Sequence, residues 1–130
     1  MKQQKINLGI TCGDINGIGL EIVIKVFQDP ILFDLCTPIL YVPVSVFDFY
    51  KKLFDNDNIV YRSIQNSFDA SPRQLNIVGF SKENIQLNPG VSTYIASKIA
   101  IQSIDLAIND FKKKHIDAIV TLPVNKKNIS

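Results

Sequence analysis

Between Gly13 and Gly19 the chain sets three glycines, the carboxylate of Asp14 and the amide of Asn16 within seven consecutive residues. Glycines in a loop let the backbone come close to a ligand, and free amides at a helix start attract anions such as phosphate or carboxylate. The spacing is Gly, three residues, Gly, one residue, Gly. It matches neither the dinucleotide fingerprint nor the P-loop, whose Lys and Ser/Thr are absent. Asp14 brings a negative charge into the cradle, so it either caps local amides or faces a positive cofactor group or metal. On the residues alone, Asp14, Asn16, Gly17 and Gly19 make either a ligand-proximal loop or a plain tight turn.

A second cluster, Thr121, Pro123, Asn125 and Lys126, stands where a strand ends and a helix should begin. A cation near a helix start meets the positive end of the dipole unless an anion lies close. Lys126 therefore points to an anionic ligand, or else it is a solvated lysine with its stem on the surface. Thr121 and Asn125 either donate to the same ligand or cap the next helix. His115 is the only histidine and reads as a surface or helix-end residue, not a metal ligand. Cys12 has no neighbouring base and reads as a small buried residue, not a nucleophile.

The elements that must position these groups alternate. Ile6, Leu8 and Ile10 predict a strand before Thr11, and Leu20 to Phe27 a helix that stops by Asp29, before Pro30. Ile39 to Val44 predicts a second strand ending near Pro43, and Val46 to Phe54 a helix. Ile59 to Tyr61 offers a short strand and Leu75 to Phe80 a better one. After the breakers Asn88, Pro89 and Gly90, Ser92 or Thr93 caps a long helix that carries Ile95, Ile99, Leu106, Ile108 and Phe111 and runs to Lys114. Asp117 to Leu122 reads as a strand buried on both faces. The alternation predicts a mostly parallel α/β sheet with flanking helices, one unit over 1–130. A strand buried on both faces needs a further helix, so the unit is expected to be incomplete at its carboxyl end, the first portion of a longer protein.

The chain has 130 residues, 46% of them apolar, enough for a core without disulfides or a structural metal. Fourteen Lys and Arg against twelve Asp and Glu leave a charge of +2, too near balance to imply nucleic acid or an anionic membrane as partner. Lys112 to Lys114 suit the negative end of a helix dipole. Two cysteines without paired spacing, no signal peptide and no apolar run of about 20 residues predict a cytoplasmic protein.

Gly13, Asp14, Asn16, Gly17, Ile18, Gly19 and Glu21 resemble the opening motif of the 4-hydroxythreonine-4-phosphate dehydrogenase family, G-D-P-x-G-I-G-P-E. Ile15 and Leu20 replace its two prolines, an exchange that loosens the turn and the first helical position. A related motif, G-D-G-I-G-P-E, opens the isocitrate and isopropylmalate dehydrogenases. Thr121 to Lys126 resembles the T-x-P-[IV]-[NS]-K element of the phosphothreonine enzymes and separates the two groups.

The resemblance implies an isocitrate/isopropylmalate dehydrogenase-like fold. It implies NAD-dependent oxidation of 4-phosphohydroxy-L-threonine, with decarboxylation to 3-amino-2-oxopropyl phosphate, in pyridoxal phosphate biosynthesis. It also implies a divalent metal (zinc, magnesium or cobalt) held by residues beyond this chain, from both subunits of a homodimer. The substrate phosphate is then held by a later G-H-T element and basic residues, so the isolated chain is expected to be inactive. The competing expectation is a non-catalytic α/β module that binds a phosphorylated metabolite through the glycine loop.

Overall fold

The computed structural model describes residues 5–54, 59–81 and 85–124. Alternating apolar residues make β1 (Ile6–Thr11), exposed at its start and buried from Gly9 on. There follow α1 (Gly19–Val26), a single turn α2 (Leu32–Leu35), β2 (Cys36–Tyr41), α3 (Val44–Phe54), β3 (Tyr61–Ile64), β4 (Leu75–Val78), α4 (Tyr94–Lys112) and β5 (Ala118–Thr121). The five strands form one sheet in the order β3-β4-β2-β1-β5, and every pairing is parallel.

Side chains alternate across the sheet as the two-residue period requires. Leu8, Ile10, Leu40 and Val42 pack with α1 and α3, around Val23, Ile24, Val46 and Phe47. Gly9, Ile39 and Tyr41 face the other way, toward α4, where Tyr41 Oη donates to Asp110 Oδ2 at 2.7 Å. Burial and the adjacent Asp110 carboxylate both push the Tyr41 phenol well above its usual range.

Several features depart from the sequence expectation. β2 begins at Cys36, runs through Pro38 and stops at Tyr41, so the expected span of Ile39 to Val44 was set too late. Pro38 supplies no N–H to the ladder. Its carbonyl accepts 3.1 Å from Asn76 Nδ2, a buried partner on β4 that local sequence does not announce. β3 starts at Tyr61 where Ile59 was expected; Ile59 is instead buried against the α1 and α3 core. The strand expected over Leu75 to Phe80 ends at Val78. β5 is half-buried to exposed, not covered on both faces, because α4 lies over one face and no described residue covers the other.

In α4, Thr93 is the cap, its Oγ1 accepting from Ala96 N at 3.1 Å. The residues turned to the core are mostly small: Ala96, Ile99, Ala100, Ser103 and Ala107. The helix thereby comes close enough to the sheet for Ser103 Oγ to accept from Cys12 N (2.9 Å) and donate to Tyr41 O (2.6 Å). The expected apolar positions Ile95, Ile108 and Phe111 lie outward. The helix ends at Lys112, two residues before the expected Lys114.

Lys114 sits in the left-handed region at φ 64, with its N–H on Phe111 O (3.0 Å) and that of His115 on Asp110 O (2.9 Å). This is the helix stop that glycine favours. Lys114→Gly is expected to raise stability by about 1 kcal/mol, measured by urea unfolding. A loss of stability would show that the lysine stem contributes more than its backbone costs.

Candidate functional site

β1 leads into α1 on one face of the sheet, whereas α4 on the other face leads into β5. The strand order therefore reverses between β1 and β5. In open parallel sheets, ligands bind outside the carboxyl ends of strands at this reversal. The first cluster singled out in the sequence lies there, as do Thr121 and Pro123 of the second.

The loops after β1 and β5 touch. Asp14 N donates to Pro123 O at 2.8 Å, and Leu122 N to Thr11 O at 3.3 Å. Gly13 has φ +65, and a Cβ added to it would lie 2.3 Å from Pro123 O and 2.8 Å from Leu122 O. A Cβ on Gly19 would lie 3.0 Å from Leu122 Cβ. The glycines at 13 and 19 thus admit the backbone and side chain of the second loop, a contact that sequence spacing did not reveal.

Asp14 takes the capping role among its two alternatives. Its Oδ1 accepts from Asn16 N at 3.0 Å, and its carbonyl accepts from Gly17 N at 2.9 Å. Asn16 is buried and ties the loop to the chain ahead of α4. Its Oδ1 accepts from Asn88 N (2.9 Å), its Nδ2 donates to Thr93 Oγ1 (3.3 Å), and its carbonyl accepts from Gly90 N (2.7 Å). Ile15 and Leu20, each 1% exposed, anchor the turn to the core by burial. Tyr50 Oη donates to Ile15 O and braces the same turn from α3.

What remains open is the start of α1. Its N-cap, Ile18, has no side chain to bond the first-turn amides, and Glu21 in that turn pairs with Lys25 at 3.0 Å. Thr121 is exposed at the end of β5, in register with Thr11, and Pro123 is exposed beside Asp14. Asn125 and Lys126 lie outside the described residues. Thr11 was not singled out by sequence. Its Oγ1 is buried at the end of β1 without a hydrogen-bond partner among the described residues.

Cys12 is fully buried, and desolvation pushes its thiol from 9.0 up to about 12. Ellman's reagent at pH 8 is expected to leave it untouched until the protein unfolds, which time courses with and without urea would show. Between pH 9.0 and about 12 the unfolded chain loses the thiol proton while the folded one keeps it, so stability falls with rising pH there. His115 lies at the far end of α4 from Thr93, with Nδ1 3.8 Å from Asp110 Oδ1 and its ring edge-on to Phe68. Among the described residues no group of three or more His, Cys, Asp or Glu is placed to hold a metal ion. Asp14 and its neighbours do not by themselves fit a divalent cation.

An all-parallel sheet with helices on both faces and two apposed loops at its reversal defines an α/β protein of the ligand-crevice kind. The chain belongs to the family of the pyridoxal phosphate biosynthetic protein PdxA, whose sequence model matches residues 34–130. It is 33% identical over 129 residues to the 4-hydroxythreonine-4-phosphate dehydrogenase of Bacteroides thetaiotaomicron, covering 99% of this chain and 35% of that protein. A Clostridium botulinum protein provisionally named D-threonate 4-phosphate dehydrogenase is 29% identical over 132 residues, covering 99% of this chain and 39% of its own length.

Among solved structures, a 4-hydroxythreonine-4-phosphate dehydrogenase from Burkholderia phymatum superposes with a TM-score of 0.89 at 24% identity, over 98% of this chain and 39% of that one. A terephthalate 1,2-cis-dihydrodiol dehydrogenase from Burkholderia xenovorans does so at 0.73 and 19%, over 97% and 36%. These likenesses establish the α/β fold, and the chain spans 35% to 39% of the length of these four proteins.

Proposed function

We propose that the protein to which these residues belong oxidises 4-phosphohydroxy-L-threonine with NAD as part of pyridoxal phosphate synthesis. The secondary alcohol gives up a hydride to NAD and a proton to a base. The resulting β-keto acid loses carbon dioxide to leave 3-amino-2-oxopropyl phosphate. The observation that carries the reading is the contact between the first motif and the described start of the second, Asp14 N donating to Pro123 O at 2.8 Å.

This chain's part is to form one wall. The uncapped first turn of α1 offers amides to an anionic group, Asp14 and Asn16 hold the turn rigid, and Ile15 and Leu20 anchor it to the core. A divalent metal, when bound, polarises the alcohol and the developing ketone. Its ligands are assigned to residues beyond this chain, from both subunits of a homodimer, and the 130 residues alone are expected to produce no NADH. A cytoplasmic setting is part of the same proposal. The two free cysteines fit a reducing compartment, and no described helix is long and apolar enough to cross a membrane.

The test is a chimera in which this chain replaces the matching portion of the Bacteroides relative, assayed by NADH absorbance with 4-phosphohydroxy-L-threonine and with D-threonate 4-phosphate. Turnover of the first supports the proposal. Preference for the second would overturn the substrate assignment. Robust NADH production by the isolated chain would overturn its role as one wall only. Tight calorimetric binding of phosphorylated metabolites by the isolated chain, without metal, would favour the non-catalytic module.

A further inference from the structure

Phe27 follows α1, Phe33 lies in α2 just before β2, Ile59 precedes β3, and Pro72 and Arg73 precede β4. In an all-parallel sheet these positions fall together at the amino ends of the strands, the edge away from the Asp14 and Pro123 loops. They line an open cavity of about 690 Å³, within the roughly 300 to 1,000 Å³ that small-molecule sites occupy. Its floor is apolar. Phe27 and Ile59 are buried, and the Phe27 and Phe33 rings meet at 5.5 Å between centroids with 31° between their planes. Such a surface suits a flat apolar body.

Charge sets the other end of the occupant. Arg73 stands at φ 68 directly after Pro72, in the left-handed region where a turn ordinarily holds glycine. Backbone geometry therefore does not account for an arginine at this place, and a residue held against its preference points to a role for its side chain. Its Nη1 bonds Asp34 Oδ1 at 3.1 Å, with both side chains exposed. Lys5 Nζ donates to Phe33 O at 3.0 Å and brings a second cation to the same turn. Asp29, beside Pro30 in the wall, has its carboxylate on Ile31 N at 3.1 Å. A guanidinium presents its N–H donors as a planar fork that matches a carboxylate. An exposed pair such as Arg73 and Asp34 contributes little, so an incoming carboxylate can take the place of Asp34.

We propose that this cavity is a binding site for a small aromatic carboxylic acid. The ring of the ligand lies on Phe27 and Phe33, its carboxylate bonds Arg73, and Asp34 is the internal competitor that it displaces. The site is independent of the substrate assignment. The chain contains no tryptophan, so an indole ligand reports its own binding by fluorescence anisotropy. Indole-3-propionate is expected to bind the 130-residue chain with half-saturation at about 1 mM or below. The matching alcohol, indole-3-propanol, should bind about tenfold more weakly, because it cannot make the charge-assisted bond.

Arg73→Gly should weaken binding of the acid about tenfold and leave the alcohol unchanged. Glycine suits φ 68, so this variant keeps the turn. Asp34→Asn removes the competitor and should tighten the acid about threefold, again without effect on the alcohol. Phe33→Ala should weaken both compounds about tenfold through the lost ring contact. If circular dichroism shows that Phe33→Ala loses its fold, the two charge variants still decide. No change in anisotropy up to about 10 mM, equal affinity for acid and alcohol, or acid binding indifferent to either charge variant, would overturn the proposal.

Discussion

Gly13→Ala is expected to cost about 3 kcal/mol or more and to part the two loops of the candidate site. A residue with a side chain pays roughly 1 to 2 kcal/mol to hold the left-handed conformation at φ +65. The new methyl group would also lie 2.3 Å from Pro123 O, a backbone atom that cannot move without breaking its bond to Asp14 N. Gly19→Ala is the comparison. Its nearest contacts are side-chain atoms of Leu122, at 3.0 and 3.3 Å, which can shift by a rotamer adjustment, and about 1 kcal/mol is expected. Denaturant unfolding of both variants tests the contrast. Equal losses would mean that the loops are held together by something other than the closeness that Gly13 permits.

Asn76→Ala should cost a similar amount for a different reason. Asn76 is fully buried, and its Nδ2 lies 3.1 Å from Pro38 O, 2.9 Å from Ser71 O and 3.1 Å from Gln74 O. Its Oδ1 accepts from Ser71 N at 2.8 Å. One side chain thus satisfies the turn that precedes β4 and the carbonyl of the proline in β2. Removing it leaves backbone groups buried and unpaired, each costing about 1 to 3 kcal/mol, so a total loss of about 3 kcal/mol is expected from urea midpoints. A loss below about 1 kcal/mol would show that water enters and takes over these bonds.

The sequence was informative wherever a pattern is local. The two-residue alternation of Ile6, Leu8 and Ile10, the breakers before α4 and its capping Thr93 all follow from short-range chemistry, and those elements stand where they were expected. The glycine loop was placed correctly between a strand and a helix. What local pattern could not supply was the neighbour across space. Pro38 looks like a strand breaker until Asn76 is seen beside it. Gly13 looks like a ligand contact until Pro123 fills its place. Asn16 looks like a ligand donor, but its amide and carbonyl are committed to Asn88, Gly90 and Thr93. β5 has the composition of a fully covered strand, yet the described residues cover one face.

Helical periodicity identifies a helix but does not say which of two apolar stripes meets the sheet. Ala96, Ala100, Ser103 and Ala107 win that position because only small side chains allow Ser103 Oγ to reach both Tyr41 O and Cys12 N. The larger side chains Tyr94, Ile101, Ile108 and Phe111 are turned out as a result.

The pairing of β1 with β5 joins Leu8 to Ala118 and Thr11 to Thr121, partners separated by almost the whole chain. Closing so long a span costs entropy before it returns any ladder bonds. A ribosome making this protein must therefore expose the first strand, with the backbone N–H and C=O groups of one edge unpaired, until more than a hundred further residues have emerged. Chaperone demand during synthesis follows from that order of events, and slowing translation should prolong the vulnerable interval, not shorten it.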